Sequence, residues 1–111
     1  MDEIEQLLNK YRKLGPASSD ARAKRTYLEE YKKSLLALLM KDAERKGATA
    51  VSAQEREAYA RKEYIEHLEA LEIAVREDEA QRFEIKRLEM EIEVWRTHQA
   101  NERTERRAYG A

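Results

Sequence analysis

Cysteine is absent from this chain of 111 residues, proline occurs once and glycine three times. Without thiols there is no disulfide scaffold, no cysteine-ligated metal centre and no cysteine nucleophile. The scarcity of Gly and Pro removes the frequent turns that a β-sandwich needs. No apolar run approaches the roughly 18 residues of a membrane span. Met1-Asp2-Glu3 is acidic where a secretory leader would be basic and then apolar. A soluble, cytoplasmic chain with no membrane partner is therefore expected. Net charge is nearly missing as well, since 22 basic side chains stand against 23 acidic ones. What is abundant is charge of both signs, at 41% of residues. That composition, with Glu, Ala, Arg and Leu prominent, describes long helices.

The punctuation predicts one all-α domain over residues 1–111, an antiparallel helical hairpin or coiled coil with three helices. Gly15-Pro16 is the strongest breaker pair, and Ser18, Ser19 and Asp20 after it offer N-cap oxygens, so a short first helix is expected over about 2–14. A second then covers about 20–46, closed by Gly47 in the left-handed conformation, with Arg45 and Lys46 at the negative end of its dipole. Ser52-Ala53-Gln54-Glu55 has the spacing of a capping box. From there to about Ala108 the chain holds no Gly or Pro, which predicts one very long C-terminal helix over 53–108, roughly 84 Å at about 1.5 Å per residue. The last residues, from Arg106, are expected to fray.

Apolar spacing sets the expected packing. Leu28, Tyr31, Leu35, Leu38 and Leu39 recur at helical intervals on the second helix, and Leu36 and Met40 widen that stripe until burial from more than one side is needed. A short Gly47–Ser52 loop makes the second and third helices antiparallel neighbours. Leu35 then meets Tyr64, Tyr31 meets Leu68 and Leu28 meets Leu71, with Val75 on the same face. Beyond the Gly-Pro pair, Ile4, Leu7, Leu8, Tyr11 and Leu14 face Ile85, Leu88, Ile92 and Trp95. Asp78 and Arg82 face the kink between the two shorter helices. Trp95 and the tyrosines read as core residues, because aromatics at helical spacing usually are. Phe83, Met90 and Val94, with Ile65, lie on the opposite side of the long helix. Two opposed apolar faces predict a homo-oligomer interface at Phe83, Met90 and Val94. The alternative is a first helix that wraps round to cover both faces.

Residues that would carry catalysis are sparse. His67 and His98 stand roughly 45 Å apart on a straight helix, too far to share a metal. Glu63 and His67 read as an exposed pair one turn apart. The glycines are scattered, so there is no phosphate loop. Carboxylates such as Glu89, Glu91 and Glu93 read as a solvated face. No enzyme, metal or cofactor is expected.

The distribution of charge is more informative. Residues 15–52 hold eight basic residues, Arg22, Lys24, Arg25, Lys32, Lys33, Lys41, Arg45 and Lys46, against five acids, whereas residues 53–95 hold seven against thirteen. Tyr27 and Tyr31 interleave with the basic cluster. Cations for phosphates and rings for stacking are what sequence-neutral single-strand binding requires, so these eight cations and Tyr27 are candidate nucleic-acid contacts.

In layout the chain resembles the UvsY recombination mediators of tailed bacteriophages. The resemblance is carried by the basic segment Ala21 to Lys46, the break at Gly47 and the acidic segment opening Ser52-Ala53-Gln54-Glu55-Arg56-Glu57-Ala58-Tyr59. The run from Glu93 to Arg103, Glu-Val-Trp-Arg-Thr-His-Gln-Ala-Asn-Glu-Arg, also looks like the tail of phage proteins of this size. The likeness implies a ring-forming helical protein that binds single-stranded DNA and helps to load a recombinase over a single-strand-binding protein in the host cytoplasm. Lys41, Arg45 and Lys46 would then make DNA contacts. The long acidic helix departs from that pattern, so phosphate contact would fall to the other helices. An alternative expectation is a phage-encoded protein-binding module, an inhibitor or assembly scaffold, that acts on a host protein through its acidic helix.

Overall fold

The computed structural model describes residues 2–110. They form three helices, α1 Glu3–Arg45, α2 Val51–Tyr59 and α3 Lys62–Ala108, with no strand among the described residues. The fold is thus all-α, with one very long C-terminal helix, as expected. Its boundaries differ from the sequence expectation in two places.

α1 runs unbroken through Gly15-Pro16, so the expected helices over 2–14 and 20–46 are one helix of 43 residues. Asp2 starts it: its side-chain oxygen accepts from the Glu5 amide at 3.0 Å, and Glu3 and Glu5 lie at the positive end of the dipole. Proline lacks the N–H that would bond the Arg12 carbonyl. The usual clash of a proline ring with the side chain before it is absent, because Gly15 has no Cβ. Open space surrounds Gly15, and helix formers on both sides carry the ladder across the lost bond. The helix stops as expected at Gly47, whose φ of 114° is a left-handed conformation, with Ala48 N–H reaching back to the Ala43 carbonyl.

The second difference lies in the acidic half. Ser52 caps nothing: α2 begins one residue earlier, its N-cap is Ala50, and no side chain bonds that end. The buried Gln54 instead holds the loop, donating from Nε2 to the Ala48 and Thr49 carbonyls at 3.0 and 3.4 Å. Nor is there one helix from 53 to 108. The ladder lapses at Ala60 and Arg61 although neither is a breaker, and Arg61 spends its side chain on Asp42 of α1 at 2.8 Å and on Glu63 at 3.1 Å. Tertiary contact, not propensity, ends α2.

The residues cluster in two units. Residues 20–78 form a three-segment core in which α1 and α3 run antiparallel. Leu35, Leu39, Ala58 and Tyr64 pack together, with Leu36 and Met40 against them. Leu38 and Leu68 are exposed, which corrects the all-round stripe expected on the basic segment and the Tyr31–Leu68 contact. His67 takes that place. Its ring is buried, Nε2 lies 2.7 Å from the Leu28 carbonyl oxygen, and Tyr31 tilts against it with centroids 5.5 Å apart. The expected exposed pair of Glu63 and His67 is therefore absent, Glu63 being taken by Arg61. Asp78, 1% exposed, accepts from Arg25 at 3.1 Å and is a buried ion-pair member of this unit, not a polar residue at a kink.

In the other unit, α1 up to Ser19 lies antiparallel to α3 from Glu79 onward. Leu7 and Leu88 are its buried apolar residues, flanked by half-buried Ile85, Ile92 and Trp95. Tyr11 donates from its hydroxyl to Glu89 at 3.2 Å, and that carboxylate raises the phenol pKa above its ordinary value, mainly by its charge.

Candidate nucleic-acid interface

Because α1 is a single helix, faces can be followed along it at about 100° per residue. Lys24, Tyr27, Tyr31, Ser34, Leu38, Lys41 and Arg45 fall within an arc of roughly 100°, a strip spanning about 30 Å. Every one of them is exposed. Tyr27 and Tyr31, one turn apart, stack with ring centroids 6.0 Å apart and an interplanar angle of 6°. Tyr31 also packs against the His67 ring, while Tyr27 is 66% exposed. Leu38, 57% exposed, continues the apolar line towards Lys41.

The two lysines of this strip are uncommitted. Among the described residues no carboxylate lies within ion-pair distance of Lys24 or Lys41, and Arg45 makes one long contact of 3.4 Å to Asp42. Asp20, at the N-terminal end, and the half-buried Asp42, at the angle of Lys24, are the acids that share the face. The strip can therefore offer cations along a phosphate path and a preformed aromatic surface between them.

The remaining candidates are dispersed. Arg25 is bound to Asp78 and to Glu29, the latter at 2.9 Å, so its role is structural. Lys33 pairs with Glu30 at 3.6 Å, and Lys46 with Asp42 at 3.1 Å. Lys32 is half-buried beside Tyr59, Tyr64 and Leu71 at a groove of about 400 Å³. Arg22 is exposed but lies on a different side of the helix. Sequence reading thus gathered nine residues of which Lys24, Tyr27, Lys41 and Arg45 share a face. It missed Tyr31 and Leu38 because both were assigned to the core. Plotting the basic cluster at 3.6 residues per turn would have separated the two groups.

Asp42 is the electrostatic centre of the loop end. Hydrogen bonds from Arg61 and then Lys46 hold its carboxyl below the ordinary value of 3.8.

On α3, Phe83, Met90 and Val94 are 71%, 69% and 56% exposed, and Ile65 is exposed also. The first helical segment does not wrap round to cover them, so the apolar face expected at these positions stays open. Met90, Val94 and Trp95 line a groove of about 680 Å³ with Arg87 and Glu91 at its rim. No group of three or more metal-ligating side chains converges among the described residues, and none of their helices is long and apolar enough to cross a membrane. Compared with protein-family profiles, curated proteins and solved structures, the chain matches none.

Proposed function

We propose that this chain is a non-catalytic helical accessory protein that binds single-stranded DNA along the exposed strip of α1. The observation that carries this reading is the stacked Tyr27–Tyr31 pair standing open between Lys24 and Lys41. Bases of any identity stack on such a ring face, while the lysines and Arg45 follow the phosphates. The resemblance of the basic segment and the Gly47 break to phage recombination mediators is the ground for proposing a place in recombination or replication, with a recombinase or single-strand-binding protein as further partner, inside the host cell. Self-association would multiply modest strips into a usable affinity.

Fluorescence anisotropy with a labelled oligonucleotide tests the proposal. Binding is expected at about 50 mM salt, falling with a log–log slope near −2 if roughly three phosphates are neutralised. Tyr27→Ala is expected to weaken it about tenfold, in line with about 1–3 kcal/mol per stacked base. Lys24→Glu with Lys41→Glu should abolish it, and Arg22→Glu should change it little. Absence of any binding by the unaltered protein at low salt would sink the idea. A second reading rests on the acidic surplus of residues 53–95 and takes a host protein as the partner. Pull-down from nuclease-treated lysate would then retain a stoichiometric polypeptide.

A further inference from the structure

The unit formed by residues 2–19 and 79–110 is one pair of helices, so each can bury a single stripe against the other while its remaining faces stay open. Leu7 and Leu88 are its buried apolar side chains. On the side of α3 away from Leu88, Phe83, Arg87, Met90 and Val94 recur at alternating intervals of four, three and four residues, the spacing of a coiled-coil seam. Three of these are large and mostly exposed apolar side chains. The fourth, Arg87, is fastened at its head to Glu84 and Glu91 one turn away on either side, which leaves its aliphatic stem to complete the seam. From this we infer that the seam is a self-association surface, and that its occupant is a second copy of the chain lying antiparallel.

Direction follows from charge. In a parallel pair, the Arg87 stems would lie side by side and bring their guanidinium heads, like against like, to the rim of the seam. In the antiparallel pair, Phe83 lies opposite Val94 of the partner copy and Arg87 opposite its Met90. One margin of the seam carries Lys86 and Glu93, which border the same shallow apolar depression with Met90 and Val94, while Glu89, which also lines it, accepts from the Tyr11 hydroxyl. Reversing the partner sets Lys86 beside its Glu93 and Glu93 beside its Lys86, so the margin is complementary to itself about a two-fold axis. The other margin carries Glu84 and Glu91, and Arg87 already offsets both. Charges of both signs, placed so that inversion matches them, point to the chain itself as the occupant, since a one-signed margin would call for a foreign partner. The surface is small, so the association is expected to be of micromolar strength. It is independent of the DNA-binding proposal.

Because the chain has no cysteine, single substitutions report direction without background. An equal mixture of Phe83→Cys and Val94→Cys chains, in a glutathione redox buffer, is expected to form a disulfide-linked dimer, and neither variant alone should do so. Linkage of Phe83→Cys to itself at the yield of the mixture would overturn the antiparallel arrangement. Light scattering of the unaltered protein at about 100 µM, where a micromolar interface is filled, should give twice the chain mass of 13.1 kDa. A mass of one chain there overturns the proposal, as does a monomer that captures a different polypeptide on this face. Phe83→Lys with Met90→Lys should restore the single-chain mass; its far-UV circular dichroism reads the fold, and the cysteine mixture decides the question if that helicity is lost. Failure of the anisotropy titration leaves this seam standing, and a monomeric chain leaves the α1 strip standing.

Discussion

Between residues 20 and 78, α2 adds Ala58 and Gln54 to the meeting of α1 and α3, and Ala58 packs with the buried Leu35, Leu39 and Tyr64. In the other unit the same two long helices meet without a third, and Leu7 and Leu88 are the apolar residues that reach burial. Polar groups divide the same way. The first unit holds a buried ion pair, a buried histidine and a buried glutamine, each in contact with a named partner. The second holds surface pairs such as Arg96 with Glu93 at 2.8 Å, which contribute little each. A nine-residue helix thus separates a segment that closes its own core from one that presents an apolar face.

Three substitutions or titrations sharpen this contrast. The largest expected effect is at Leu88, which is 1% exposed. Leu88→Ala is expected to cost about 3 kcal/mol, with the loss falling on the unit that has least to spare. Hydrogen exchange should show protection lost over residues 3–19 and 79–108 and kept around Leu39 and Tyr64; uniform loss would show that the two units do not melt separately. Next comes Arg25→Ala, which removes one ion-pair contact of the buried Asp78 carboxylate. About 2 kcal/mol should be lost in urea denaturation, and joint replacement of Arg25 by Met and Asp78 by Leu should recover much of it. An equal loss of oligonucleotide binding at unchanged stability would return Arg25 to the DNA contacts.

The smallest effect is electrostatic. Asp42 is held below its ordinary 3.8 by Arg61 and Lys46, and Glu84 below 4.5 by the hydrogen bond from Arg87. The folded chain therefore binds fewer protons than the unfolded one. This stabilisation is present above about pH 4.5 and is lost as the pH falls through the lowered folded values. Melting temperature should drop modestly between about pH 5 and pH 3 at low salt, less so in about 0.5 M salt. Arg61→Gln should remove the Asp42 share, and an unchanged pH profile in that variant would assign the effect to other carboxylates.

Much of the fold was legible because long stretches rich in Glu, Ala, Arg and Leu have few alternatives to helix, and Gly47 marks its turn by a conformation other residues avoid. The open face at Phe83, Met90 and Val94 was legible for the same reason, since a 3.6-residue period separates it from Leu88. Gly15-Pro16 misleads because the pair looks like two breakers in a row, whereas a glycine before proline removes part of the penalty that makes proline a stop. The lapse at Ala60-Arg61 left no local mark, being set by Asp42 some nineteen residues away. At the candidate site, composition found the lysines and Tyr27 but could not show that Arg25 is drawn inward by Asp78. His67 and Asp78 lie on the same helical register as Tyr64, Leu71 and Ala74, so the period held the information that residue type obscured.

The proline inside α1 has a consequence for how the molecule breathes. Its missing amide leaves one rung out of the ladder just short of the border at Ser19, the one place along that rod where unwinding from the amino end meets a ready-made stop. Fraying that starts at Glu3 can halt there without dragging the tyrosine-bearing stretch with it, so the leading segment can come and go while the strip that would hold DNA keeps its shape.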